Sequence, residues 1–194
     1  RVPAMPHVRA LDASGKGEML AANMLPKDFP SQKLVVPQQV IYTASDGMPI
    51  HGQLFLPADL KAGEKRKAVI FLHGYGGNFA LQCWLVARPA LRLEMVTVCP
   101  STGVRGDWWT ERGARIVRSA IGRLRERGIE HIYLAGISNG GVGVSRLAPA
   151  LQGELAGLIL ISGADPDVPP PPLPVLLLHG AQDVPCRRHA RQSE

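Results

Sequence analysis

Aromatic side chains supply only 5% of the 194 residues, and cysteine occurs three times, as Cys83, Cys99 and Cys186. Three thiols cannot all pair within one chain and none stands in a CxxC arrangement. No disulfide framework is therefore expected, and Cys99, at the end of an apolar run, reads as a small buried apolar residue. An odd cysteine count fits a reducing compartment, which inclines the expected location toward the cytoplasm. No apolar run reaches the roughly eighteen residues of a membrane-spanning helix. Arg1 to Pro30 lacks the apolar core of a signal peptide, and the first residue is Arg1 rather than methionine, so a processed chain or a fragment is expected. HExxH and cysteine clusters are absent and no GxGxxG follows a first strand, so neither a metal site nor a dinucleotide cofactor is indicated.

Acidic residues number 16 against 22 Lys and Arg, a net charge of +6. The arginines gather in Glu111 to Gly128, ERGARIVRSAIGRLRERG. There Ile116, Val117, Ala120, Ile121 and Leu124 recur at helical spacing, with Arg115, Arg118 and Arg125 on the far side. A solvated helix face accounts for that charge, and with no aromatic interleaving or basic fold beside it, nucleic acid is not an expected partner. The 45% hydrophobic content suits one domain with a substantial core.

What is present is a set of short apolar runs, each opening into a glycine turn. His131 to Ala135 is followed by Gly136-Ile137-Ser138-Asn139-Gly140-Gly141 and then by a helix-compatible stretch, which presents Ser138 at a strand-to-helix turn. Glycines two residues either side leave room for strand and helix to close on each other. The amide of Asn139, at the start of the new helix, points toward an oxyanion formed at the serine. Val69 to Leu72 reads as a buried strand opening into His73-Gly74-Tyr75-Gly76-Gly77, from which the amide of Tyr75 supplies a second donor. Val175 to Leu178 is a third such strand, opening into His179-Gly180-Ala181-Gln182-Asp183, where Asp183 stands as the acid of a triad.

These segments together resemble the α/β-hydrolase superfamily: HGYGG after the third strand, GISNGG after the fifth and HGAQDVP after the seventh, over roughly Val36 to Pro185. The SNGG turn is similar to that of prolyl oligopeptidases and of poly(3-hydroxybutyrate) depolymerase-like esterases, and YTASDGMPIHGQLFLP resembles the opening strands of a prolyl-oligopeptidase catalytic domain. The resemblance implies a mostly parallel sheet with helices on both faces and an N-terminal antiparallel hairpin at Ser45-Asp46-Gly47. Residues 1–33 are expected to form an irregular leader and 34–194 the hydrolase domain. The implied activity is a serine esterase acting through an acyl-enzyme on Ser138, with a small ester as partner. The alternatives are a prolyl-oligopeptidase-like peptidase taking short peptides and a non-catalytic hydrolase fold used for binding.

A serine needs an imidazole to take its proton. In the superfamily that histidine follows the eighth strand. The sequence ends eleven residues after Asp183, with His189 as the only later candidate, so the final strand and helix are expected to be missing. His73 and His179 belong to the HG turns, where a ring braces the loop, and His7, His51 and His131 read as structural or exposed. Asp165, after the sixth strand, is the alternative acid. The short Ser162 to Pro174 connection, with four consecutive prolines, is too stiff for a cap domain and implies a cleft without a lid. The adjacent Trp108 and Trp109 either wall that cleft or split between core and surface.

Overall fold

The computed structural model describes residues 9–11, 17–19, 37–43, 47–57, 60–61, 64–78 and 80–182. The chain divides into two compact units, Arg1–Pro37 and Gln38–Glu194. In the first, β1 (Arg9–Leu11) pairs antiparallel with β2 (Gly17–Met19), a short ladder in a stretch whose sequence shows no sustained period.

The second unit carries a seven-stranded sheet. Its strands are β3 (Gln38–Thr43), β4 (Pro49–Phe55), β5 (Ala68–Leu72), β6 (Val96–Pro100), β7 (Ile132–Ile137), β8 (Gly157–Ile161) and β9 (Val175–Leu178), in spatial order β3-β4-β6-β5-β7-β8-β9. The β3–β4 and β4–β6 pairings are antiparallel and the remaining four parallel. The expected antiparallel pair therefore opens an otherwise parallel sheet. Gly47, just before β4, has φ +82°, a region open to glycine.

The helices are α1 (Ala80–Arg92), α2 (Glu111–Glu126) and α3 (Asn139–Leu151). The central strands are buried along their whole length, so their residues alternate between two covered faces. Ala68, Ile70, Leu72, Val96, Val98, Ile132 and Leu134 join one core with the apolar stripes of α2 and α3. The buried α2 residues include Ile116, Val117, Ala120, Ile121 and Leu124, as the spacing requires. Thr110 caps that helix by accepting from the Gly113 amide at 3.2 Å. On the charged side Arg115 pairs with Glu111 and Arg123 with Glu126, as a solvated helix face would.

The alternate residue Cys99 faces α1 and is bonded to Cys83 on that helix, with Cα atoms 6.0 Å apart. This corrects the expectation of unpaired thiols. The two cysteines stand sixteen residues apart on a helix and a strand whose packing brings them together, which no local spacing shows. The bridge also removes the basis for inferring a reducing compartment. Ser162 to Pro174 forms no helix, and its residues 164–171 line a groove of about 680 Å³ with Leu158, Leu160, Val175 and Leu177. The buried strand expected at Val175 to Leu178 is corrected: among the described residues β9 ends the sheet and pairs with β8 alone, and Val175, Leu176 and Leu178 are 41%, 50% and 45% exposed. Among the described residues no helix is long and apolar enough to cross a membrane.

Candidate active site

β5 and β7 lie side by side and parallel, with Leu72 opposite Gly136, so the turns that follow them emerge together at the carboxyl edge of the sheet. Ser138 ends one of these turns. Its φ of +53° and ψ of −121° are strained for any residue with a Cβ, and its side chain is exposed. The backbone is held from several sides. The Ser138 amide donates to the Ile161 carbonyl at 2.9 Å, and its carbonyl accepts from Val142 at 3.1 Å in the first turn of α3. Glycine is required around it because backbones touch. A Cβ on Gly140 would enter the Leu72 carbonyl, and one on Gly163 would enter the peptide of Ser138 itself.

The HG turn sits against this serine. A Cβ on Gly74 would stand 3.1 Å from Ser138 Cβ and 3.7 Å from its Oγ. Tyr75, the next residue, is 70% exposed. Ser138, the Gly74–Tyr75 turn and the amino end of α3 at Asn139 are thus brought together. Such a cluster sets an accessible hydroxyl beside a glycine turn and a helix amino end, groups of the kind that acyl transfer uses.

A third loop, Ser101 to Thr110, fastens the other two through bonds that no local sequence pattern encodes. The His73 ring is wholly buried. Its Nδ1 lies 2.8 Å from the Gly74 carbonyl and its Nε2 lies 3.3 Å from the Thr102 amide. An amide can only donate, so Nε2 accepts and Nδ1 carries the proton. Burial holds the ring below its ordinary pKa, against the opposing effect of the Gly74 bond, so the neutral form is favoured. Both nitrogens are occupied, which makes His73 a brace. Trp108 is also fully buried; its indole N–H donates to the His73 carbonyl at 2.8 Å, and the two rings meet edge to face at 5.0 Å. The Gly76 amide donates to the Val104 carbonyl at 2.7 Å, and Asn139 Nδ2 donates to the Arg105 carbonyl at 2.9 Å. In the sequence this loop is marked by its adjacent tryptophans, Trp108 and Trp109. Gly106, at φ +69°, is pressed so close that a Cβ would meet the His73 and Gly74 carbonyls at 2.8 and 3.0 Å.

The tryptophans split. Trp108 is core, while Trp109 is 36% exposed and lies under the Arg146 guanidinium, 5.4 Å from its ring centroid. Arg146 is also ion-paired with Asp165, whose other oxygen accepts from the Asp167 amide at 3.0 Å and whose own amide donates to Ser145 Oγ at 3.1 Å. Asp165 is therefore committed to α3 and its own loop. His179 repeats the turn geometry of His73, Nδ1 to Gly180 carbonyl at 3.1 Å, but is exposed, as are His51 and His131. Asp183, His189 and His7 lie outside the described residues. No group of three or more potential metal ligands occurs among the described residues.

Sheet order, helix placement and the two glycine turns at its carboxyl edge define an α/β-hydrolase fold, and the chain has that fold. No family model matches the chain and no curated protein does. Among solved structures it is similar to a thermostable esterase, with 20% identity and TM-score 0.56 over 81% of this chain and 52% of the esterase. It is also similar to XC6422 from Xanthomonas campestris, a serine hydrolase without a lid, at 20% identity and TM-score 0.53 over 76% of each chain. A prolyl endopeptidase matches at 15% identity and TM-score 0.53, over 65% of this chain and 21% of the peptidase. The chain spans about half the length of the esterases it matches first.

Proposed function

We propose that the protein is a serine hydrolase that cleaves carboxylic esters through an acyl-enzyme on Ser138. The observation that carries this reading is the backbone of Ser138 at φ +53°, exposed at the end of β7 and backed by Gly74. Strain of this kind costs on the order of 1–3 kcal/mol and is kept where it aims a reactive group. In the proposed reaction the hydroxyl attacks the ester carbonyl while an imidazole takes its proton. The Tyr75 and Asn139 amides hold the oxyanion, the alcohol leaves with the proton, and water then releases the acid. Asp183 is the proposed acid that orients the imidazole. Asp165 is disfavoured because both its oxygens are engaged. The cleft is read as open, since Ser162 to Pro174 builds no helical cap, and short-chain or aryl esters are the proposed substrates.

Peptidase activity is the second reading, favoured by SNGG and by likeness to a prolyl endopeptidase. A fluorophosphonate probe tests the common step: it should label wild type at Ser138 and leave Ser138→Ala unlabelled, and equal labelling of both removes the assignment. p-Nitrophenyl esters from acetate to palmitate, run beside amino-acyl amides, separate the two readings. Faster turnover of amides than of any ester selects the peptidase.

A further inference from the structure

The loop that braces the site also contains an exposed cation, Arg105. Arg105 precedes Gly106, which is packed against the carbonyls of His73 and Gly74, and Gly74 in turn backs Ser138. Its carbonyl is held at 2.9 Å by the side chain of Asn139, the residue next to Ser138. The backbone at Arg105 and Gly106 is thus tied to both turns that flank Ser138. Its side chain is exposed and makes no ion pair or hydrogen bond among the described residues. The neighbouring charges are differently placed. Arg146 is committed to Asp165 and the Trp109 ring, Glu111 is paired with Arg115, and Asp107, the one carboxylate of the loop, is half-buried and forms no ion pair with Arg105. Beside Arg105, Val104 is 63% exposed, and across its bond to Gly76 lies Tyr75, 70% exposed.

We infer that Arg105 is a specificity residue that selects esters bearing a carboxylate a few atoms from the scissile carbonyl, with Val104 and Tyr75 flanking the short apolar part between. The inference rests on the Ser138 reading and names the substrate class for that site. Guanidinium is suited to this role. Its planar donors pair with a carboxylate through two parallel bonds, and it stays charged across the working pH range. An exposed cation at an open rim also raises the encounter rate of anionic substrates, an effect that added salt screens.

The test compares kcat/KM of the full-length protein for mono-p-nitrophenyl succinate, acetylsalicylate and p-nitrophenyl butyrate. The first carries its charge on the acyl side, the second on the leaving group, and the third has none. Wild type should favour at least one anion over the butyrate ester, and Arg105→Ala should cut that ratio by about tenfold, mostly through KM, as loss of a charged hydrogen bond implies. Arg105→Lys should keep part of the preference, and Arg118→Ala, on the solvent side of α2, should keep all of it. Raising NaCl should shrink the wild-type ratio. An unchanged ratio in Arg105→Ala, or a wild type that prefers the neutral ester, overturns the inference while leaving Ser138 as nucleophile. If Ser138 takes the fluorophosphonate but no ester turns over, protection of that labelling by monomethyl succinate in wild type and not in Arg105→Ala supports the inference, and equal protection overturns it. Failure of Ser138 to label at all removes the underlying reading and this one with it.

Discussion

At the scale of single residues, Asp165 is the candidate acid whose surroundings commit it elsewhere. Asp165 gives one oxygen to Arg146 and the other to the Asp167 amide. Asp165→Asn should therefore cost stability and leave chemistry alone: about 1–2 kcal/mol in urea denaturation, modest because Arg146 is half in solvent, with kcat within about twofold. Asp183→Asn should instead lower kcat by about a thousandfold or more in the full-length protein with little change in fold, because an amide does not stabilise an imidazolium as a carboxylate does. Steady-state kinetics and denaturation of the two variants check both statements, and the reverse ranking moves the acid to the loop after β8. Ser138 and its flanking glycines were legible because the need for small residues at Gly136 and Gly140 is written into the chain itself. The Asp165–Arg146 pair was not, since it joins a loop to a helix nineteen residues away.

Among the elements, the loop Ser101 to Thr110 acts as a strap across the two turns, and its anchor is Trp108. Trp108→Phe keeps most of the buried ring but leaves the His73 carbonyl without its donor. A loss of about 1–3 kcal/mol is expected, together with slower fluorophosphonate labelling of Ser138. Trp109→Phe, on the surface, should leave stability within about 0.5 kcal/mol and labelling unchanged. Denaturation and labelling time courses on both variants decide the point. The buried stripe of α2 and the buried strands β5 and β7 could be read from apolar patterning. Bonds such as Thr102 to His73 or Asn139 to Arg105 join polar groups 29 and 34 residues apart, and no periodicity encodes them. The bridge between α1 and β6 is hidden for the same reason. Closing a loop of this size is worth about 3 kcal/mol. Cys83→Ser paired with Cys99→Ser should lower stability by about that amount, and reductant should shift wild type toward the variant in thermal melts.

For the molecule as a whole, pH acts through the buried brace. His73 is held below its ordinary value of 6.5 chiefly by burial. The unfolded chain accepts a proton near that value while the folded chain does not. His73 therefore costs nothing above the unfolded pKa, and stability falls as pH drops below it, by up to about 1.4 kcal/mol per unit until the folded ring itself titrates. Urea unfolding at pH 7.5 and 5.5 should show this decline, and His73→Gln, already weaker, should show less of it. The backbone of Ser138 sets an opposite kind of term. At φ +53° and ψ −121° a glycine sits at ease where a serine does not. Ser138→Gly should melt higher than wild type by the equivalent of about 1 kcal/mol, the strain relieved less the added entropy of the unfolded chain, while losing all reaction with the fluorophosphonate. The hydroxyl is then held at the expense of thermal endurance, and selection for heat resistance alone would discard it.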